Sequence, residues 1–283
     1  MAIYHLSMKP MSRSSGRSSV AAAAYRAAEK LINQRDGLTH DFSRRFGVEH
    51  AEIILPKAVD ADWARDRSSL WNAAEVAEKR KDARVAREIE VALPHELSAE
   101  QRLDLTRAFA QDLADRYGVA VDFAIHSPHG DTDLRNHHVH LMMTTRKVDS
   151  EGLGEKSELE LENKRLQALG LPTSHEQLRA IRIDWEEKTN EYLGRAGLEI
   201  RIDHRSHQVR GLEIAPTQHM GVHATQMERR GKVVSRVRID GEAASRNAAL
   251  IREKPEQVLT LITAEKSVFD RHDVARALHR YIG

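Results

Sequence analysis

The chain has 283 residues, 40% of them hydrophobic, enough for one large domain or two small ones around an apolar core. It contains no cysteine, which excludes disulfides, thiolate metal sites and cysteine nucleophiles; no apolar run nears membrane-spanning length and no signal-peptide core opens the chain, so a cytoplasmic protein without membrane insertion is expected. The formal net charge of +1 hides an uneven distribution: residues 1–50 hold eight Lys or Arg against four Asp or Glu, residues 201–238 eight against three, and residues 151–200 seven against eleven. Two basic regions around an acidic one suit either a phosphate-binding face or an ordinary mixed-charge surface.

In chain order, residues 2–8 alternate, with Ile3 and His5 opposite Tyr4 and Leu6, and form an expected opening strand. Residues 11–19 follow as a loop of small hydroxyl side chains around Arg13 and Arg17, suited to phosphate-backbone contacts or to a flexible linker. Ser18 or Ser19 caps an alanine-rich helix starting at Val20 and continuing through Ile32, whose only aromatic residue is Tyr25. Small neighbours let Tyr25 either fill a core gap or reach past the helix surface. Residues 33–47 read as a polar loop, residues 52–55 as a short strand stopped by Pro56, and residues 60–80 as one helix with Trp63, Leu70 and Trp71 on a buried stripe.

Residues 85–93 alternate cleanly, placing Glu88 and Glu90 on the face opposite Ile89 and Val91. Those carboxylates are either a solvent face or partners of the histidines further on. Ser98-Ala-Glu-Gln101 is a capping-box signature for a helix reaching Tyr117, with Gly118 as its stop.

Residues 124–145 concentrate five of the 16 histidines. Val121, Phe123 and Ile125 alternate with Asp122, Ala124 and His126, so His126 ends a strand on its polar face. In the next strand His138 and His140 share a face while Val139 and Leu141 take the other. A Pro/Gly/Asp/Asn-rich loop between them marks an antiparallel hairpin, which can bring His126, His138 and His140 to one point. Three neutral imidazoles around one divalent cation, with positions left open, is a catalytic arrangement; exposed or hydrogen-bonded histidines at a strand end are the alternative.

Residues 147–173 suit a connecting excursion with a short helix, and residues 174–196 a helix ended by Gly197. His204, Arg205, His207 and Arg210 form a basic group that either grips phosphates or makes a salt-bridged turn. Residues 217–230 read as a further helix, with His219 and His223 lacking a third ligand. From Ile239 the pattern is helical, interrupted by Pro255, and the chain stops as if another domain followed. The expected fold is α+β, a mainly antiparallel central sheet flanked by helices, with a helical C-terminal extension. Its expected domains are residues 1–238 and a following region that starts at 239–283.

Ala2-Ile-Tyr-His5, the Ser/Arg/Gly loop, Tyr25 in its alanine helix, Arg87-Glu-Ile-Glu-Val-Ala-Leu-Pro94, His126 and His138-Val-His140 together resemble the MobA/MobL relaxases. The run from Asp41 to Pro56 and the pair Trp71-Asn72 resemble the TraA conjugative relaxases of rhizobial plasmids most. The resemblance implies an HUH-type single-strand DNA nickase, named for paired histidines around a hydrophobic residue. Tyr25 would then be the nucleophile, and His126, His138 and His140 the ligands of a divalent ion such as Mg or Mn. It also implies a single-stranded transfer-origin substrate, a 5′-phosphotyrosyl intermediate, and relaxosome and coupling-protein partners. Glu88 and Glu90 would orient a ligand or accept a proton, and Arg13, Arg17, His204, Arg205 and Arg210 would contact DNA. No Gly-Lys-Ser/Thr nucleotide loop occurs, so ATP-driven unwinding is not expected. The rivals are a water-using histidine-metal phosphodiesterase with a structural Tyr25, and a non-catalytic single-stranded DNA-binding module.

Overall fold

The computed structural model describes residues 4–128, 135–205 and 235–255, with scattered positions thereafter. The chain divides into two compact units, Met1–Ala196 and Gly197–Gly283. In the first unit the elements run β1 (Leu6–Ser12), α1 (Ser19–Ala27), β2 (Lys30–Ile32), β3 (Thr39–Asp41), β4 (Val48–Ile54), α2 (Arg67–Ala77), β5 (Arg84–Ala92) and α3 (Ala99–Tyr117). They continue with β6 (Val121–His126), β7 (His138–Met143), β8 (Arg146–Val148), β9 (Leu153–Lys156), α4 (Asn163–Ala168) and α5 (Ser174–Arg195). In the second unit α6 spans Ser235–Glu253, across the boundary expected after residue 238, and Asn247 Nδ2 donates to the Tyr281 carbonyl at 3.1 Å.

Five strands form one sheet in the order β1-β5-β7-β6-β4, every neighbouring pair antiparallel. The fold is therefore α+β with an antiparallel central sheet, as the pattern of elements leads one to expect. Pro10 is tolerated because β1 is an edge strand, paired only with β5, where a missing N–H can face outward.

Register assigns the two faces. Glu90 lies opposite His140, Glu88 opposite Met142, Ala124 opposite His140 and His126 opposite His138, so these side chains share one face. On that face lie α1 and α2: Val20, Ala23, Ala24, Leu70, Trp71 and Ala74 pack with Ala86 and Met142 in one core cluster. The other face carries Ile89, Val91, Phe123, Val139 and Leu141, each fully buried. α3 covers it, with Arg107 Nε donating to Glu52 at 2.8 Å from the β4 residue opposite Phe123. α5 packs over α3 through Trp185 against Phe109, ring centroids 4.9 Å apart, and through ion pairs Lys188–Asp112 and Arg116–Asp184.

Several boundaries depart from expectation. The opening strand begins later and runs on to Ser12, because Met11, which pattern alone put in a loop, pairs with Ala86 and is buried. The expected helix over 60–80 breaks at Asp66. A 3-10 turn at Asp62–Arg65 precedes it, and the Asp66 carboxylate caps α2 by accepting from Ser69 N at 2.7 Å. Trp63 thus leaves the stripe and its Nε1 donates to the Asp149 carbonyl at 2.9 Å. The helix expected to run on through Ile32 stops at Ala27, and Lys30–Ile32 form β2, which pairs with β3 from the stretch read as a loop; the second small hairpin, β8–β9, occupies the stretch read as an excursion. The expected capping box is present, with Ser98 and Gln101 opening α3, and the structure adds a second one that pattern did not single out, Thr173 with Glu176 at the start of α5.

Candidate metal centre beside an exposed tyrosine

His126, His138 and His140 each offer a ring nitrogen, and these three atoms lie within 4.8 Å of one another. The ring centroids are 5.3, 5.1 and 5.3 Å apart pairwise. Strand alternation and the β6–β7 register suffice to cause this convergence.

Each imidazole has one nitrogen engaged by a neighbour. His126 Nε2 donates to the Arg26 carbonyl at 2.8 Å, His138 Nδ1 to the Asn136 carbonyl at 3.0 Å, and His140 Nδ1 to Glu88 Oε1 at 2.9 Å. In a neutral imidazole a donating nitrogen leaves the other with its lone pair, so these bonds fix the tautomers and orient three acceptors. Burial pushes His126 down to about 4; the Arg26 carbonyl opposes that shift, and the charges of His140, Arg45 and His138 add to it. Burial also holds His138 below the usual histidine range, against its bond to Asn136. Both are therefore neutral near pH 7, the form that binds a cation. The donor set fits a divalent metal ion.

Glu88 is the hinge of a second layer. Its Oε1 accepts from His140 and also from Arg26 Nε at 2.5 Å, with the Arg26 guanidinium forming an ion pair to it. Burial raises the Glu88 carboxyl, but the His140 bond and the Arg26 charge outweigh it and hold it at about 2. Glu90 is only half-buried, stands opposite His140 in the register, and its carboxylate makes no hydrogen bond or ion pair to another described residue. Its charge lies close enough to His138 to favour that ring's protonated form.

Arg26 was not among the residues that pattern singled out, yet it touches both layers: its carbonyl takes His126 and its guanidinium takes Glu88. Its neighbour Tyr25 stands near the end of α1 with its side chain 46% exposed, so the core-gap alternative is not what the fold uses. The Arg45 guanidinium lies 4.0 Å from the Tyr25 ring centroid and its Nη1 donates to the Tyr25 carbonyl at 2.8 Å. Phe42 meets the same ring edge-on at 5.2 Å. The backbone leaves α1 through Ala28 at φ 55°, and Glu29 then pairs with Arg67. Arg67 in turn makes a two-pronged bond to Asp122, Nε to Oδ2 at 2.8 Å and Nη2 to Oδ1 at 2.9 Å, while Trp71 Nε1 donates to Asp122 Oδ2 at 2.8 Å.

A model of the MobA/MobL family matches residues 17–230, most of the chain and all of Tyr25, Glu88, Glu90 and the three histidines. The chain belongs to the MobA/MobL family. Within it, the chain is 40% identical to mobilization protein MobL of Acidithiobacillus ferridurans over 98% of its own length and 77% of the relative's. It is 37% identical to conjugal transfer protein TraA of Rhizobium radiobacter, aligning over its full length but spanning only 27% of that protein. A solved chain from work on the molecular basis of vancomycin resistance transfer in Staphylococcus aureus superposes with a TM-score of 0.61 at 30% identity, over 72% of this chain and all of the other.

The residues expected to contact DNA fare unevenly in this MobA/MobL chain. Arg13 is turned inward: its guanidinium donates to Glu75 Oε2 at 3.0 and 2.8 Å, to the Arg80 carbonyl at 3.1 Å and to the carbonyls of Glu75 and Glu78. With its side chain 6% exposed, Arg13 anchors the turn after β1 to α2, and its donors are spent. That corrects its expected role as a phosphate contact. Arg17 is exposed. In the second unit Arg205 is exposed and its Nη2 pairs with Asp203 at 2.8 Å, while His204 is half-buried. Arg210, His207, His219 and His223 lie outside the described residues, as does His129.

Proposed function

We propose that the chain is a relaxase that nicks one strand of single-stranded DNA at a plasmid transfer origin by attack of Tyr25. The kinship with mobilization and conjugal transfer proteins supports the class of activity. One structural observation carries the chemistry. The residue after an exposed tyrosine holds two of three converging imidazoles, His126 directly and His140 through Glu88.

In this proposal the Tyr25 oxygen forms a bond to the scissile phosphorus while the bond from phosphorus to the 3′ oxygen breaks. A 5′-phosphotyrosyl link and a 3′-hydroxyl result, and the phosphodiester energy is kept for rejoining. Tyrosine ordinarily titrates near about 10, so its proton needs an acceptor. Glu90, with no partner among the described residues, is better placed for that role than Glu88, whose oxygen already serves His140 and Arg26. Glu88 is instead the positioning residue that fixes the His140 tautomer.

A divalent ion held by His126, His138 and His140 supplies charge stabilisation at the phosphate oxygens when bound. An all-imidazole donor set favours Mn over Mg, since Mg prefers oxygen ligands. In the first unit Arg17 offers positive charge to the DNA backbone; in the second unit Arg205 does the same, and His204 is a candidate hydrogen-bond contact. Assembly with relaxosome and coupling proteins in the cytoplasm belongs to the same proposal; no helix among the described residues is long and apolar enough to cross a membrane.

Single-stranded oligonucleotides spanning the cognate transfer origin test this directly. The native protein with Mn is expected to cleave at one position and to carry a covalent DNA adduct, and Tyr25→Phe is expected to give neither. Normal cleavage by Tyr25→Phe, or cleavage without an adduct, would replace the tyrosine with activated water. Binding with no cleavage in any added divalent metal would reduce the chain to a DNA-binding module.

A further inference from the structure

Among the described aromatic side chains, two stand out as exposed: Tyr25 at 46% and Phe46 at 87%. Scattered exposed apolar residues are ordinary, so exposure alone identifies nothing. The backbone on both sides of Phe46, however, is fastened to the candidate centre. Arg45, the residue before it, lies over the Tyr25 ring and donates to the Tyr25 carbonyl. Gly47, the residue after it, accepts at its carbonyl from the backbone N of Ser127 at 3.0 Å, and Ser127 directly follows His126.

Adjacent Cα atoms are about 3.8 Å apart, so Phe46 is fixed one residue from an anchor on the tyrosine and one residue from an anchor on the histidine strand. Gly47 makes this possible with φ at +90°, a backbone state that side chains rarely permit. Arg44 and Arg45 add two cations to the same turn, and Arg44 is exposed. A phenyl ring held outward at the rim of a phosphate-transfer site, with guanidinium groups beside it, has the composition of a single-strand platform: cations for the backbone and a π-face for a base.

We infer that Phe46 stacks on an unpaired base of the strand that lies across Tyr25 and the histidine centre. The inference rests on the single-stranded DNA reading above and adds one contact to it. The stacked base fixes the strand's position, and Arg45 keeps the platform in step with the tyrosine.

Two fluorescently labelled probes separate stacking from charge: (dT)30, and a thirty-unit strand of the same backbone with abasic residues throughout. The native protein is expected to prefer (dT)30. Phe46→Ala should weaken (dT)30 binding about tenfold, leave the abasic strand unchanged, and so erase the preference. Phe46→Trp should keep it. Equal affinity of Phe46→Ala and native protein for (dT)30 would overturn the inference, as would an equal loss on both probes, while leaving the relaxase proposal standing. Failure of the native protein to bind either probe would overturn the DNA reading itself, and the inference with it.

Discussion

The two faces of the central sheet use the same strands for opposite ends. On the α3 face Ile89, Val91, Phe123, Val139 and Leu141 are fully buried, and stability there comes from apolar area removed from water. On the α1/α2 face the same strands present Glu88, Glu90, Asp122, His126, His138 and His140, groups that are costly to bury unless paired. Pairing divides that face again. Toward the α2 end Asp122 is saturated by Arg67 and Trp71 and acts as a structural lock. Toward the end of α1, by contrast, the three imidazoles keep one lone pair each and Tyr25 and Glu90 stay accessible. Because side chains alternate, residues that hold the fold and residues poised for chemistry are neighbours in sequence and differ only in the side of the sheet they face.

The polar lock gives the largest expected effect. Asp122→Ala leaves the Arg67 guanidinium, 10% exposed, and the Trp71 N–H facing a side chain that cannot accept. Breaking a buried ion pair by removing one partner costs on the order of 3–5 kcal/mol. Urea unfolding of the variant should show that loss, while the folded fraction still nicks. A variant of native stability would mean that this end of the face is not a lock, and the division drawn above would fail.

Adjacent residues on opposite faces give a second, sharper contrast. Leu141→Ala should cost about 2–5 kcal/mol through a buried cavity, with little change in metal affinity of the folded protein. His140→Ala should leave stability within about 1 kcal/mol, since Glu88 keeps Arg26, and yet abolish metal-dependent nicking. Calorimetry with Mn on both variants reads the difference. Similar losses of metal binding in both would show that the two faces are not separable.

What could be read from sequence follows the same division. All five strands of the central sheet and the three helices between them are visible as patterns, because alternation and capping are local. The histidine centre is visible for that reason too: His126, His138 and His140 need only two strands and one turn. Arg26 is invisible, because its meaning lies in Glu88, 62 residues away, and in His126, 100 residues away. Its one local signal is an arginine following the sole tyrosine of an alanine helix. Arg13 misleads in the opposite direction. A Ser/Arg/Gly stretch resembles a phosphate loop, and nothing local shows that Glu75, itself 1% exposed, takes the guanidinium. The hairpins β2–β3 and β8–β9 escape because three- and four-residue strands carry too little alternation to stand out, and Lys30-Leu-Ile32 in β2 instead read as the continuation of the alanine helix.

The smallest expected effect lies where the fold-holding and accessible parts of the α1/α2 face meet. Ala28 closes the tyrosine helix at φ 55°, the sole described residue other than glycine with a positive φ. An L-residue in that state costs about 1–2 kcal/mol, and a glycine would return about 0.4–1 kcal/mol of that through its freer unfolded chain. Ala28→Gly should therefore raise stability by up to about 1 kcal/mol, seen as a higher urea midpoint at unchanged slope. If the strain only closes the helix, nicking per folded molecule stays at the native rate. A severalfold change in nicking with the stability gain would show that backbone strain beside Tyr25 helps aim it, and the accessible part of the face would then extend past the side chains into the helix cap.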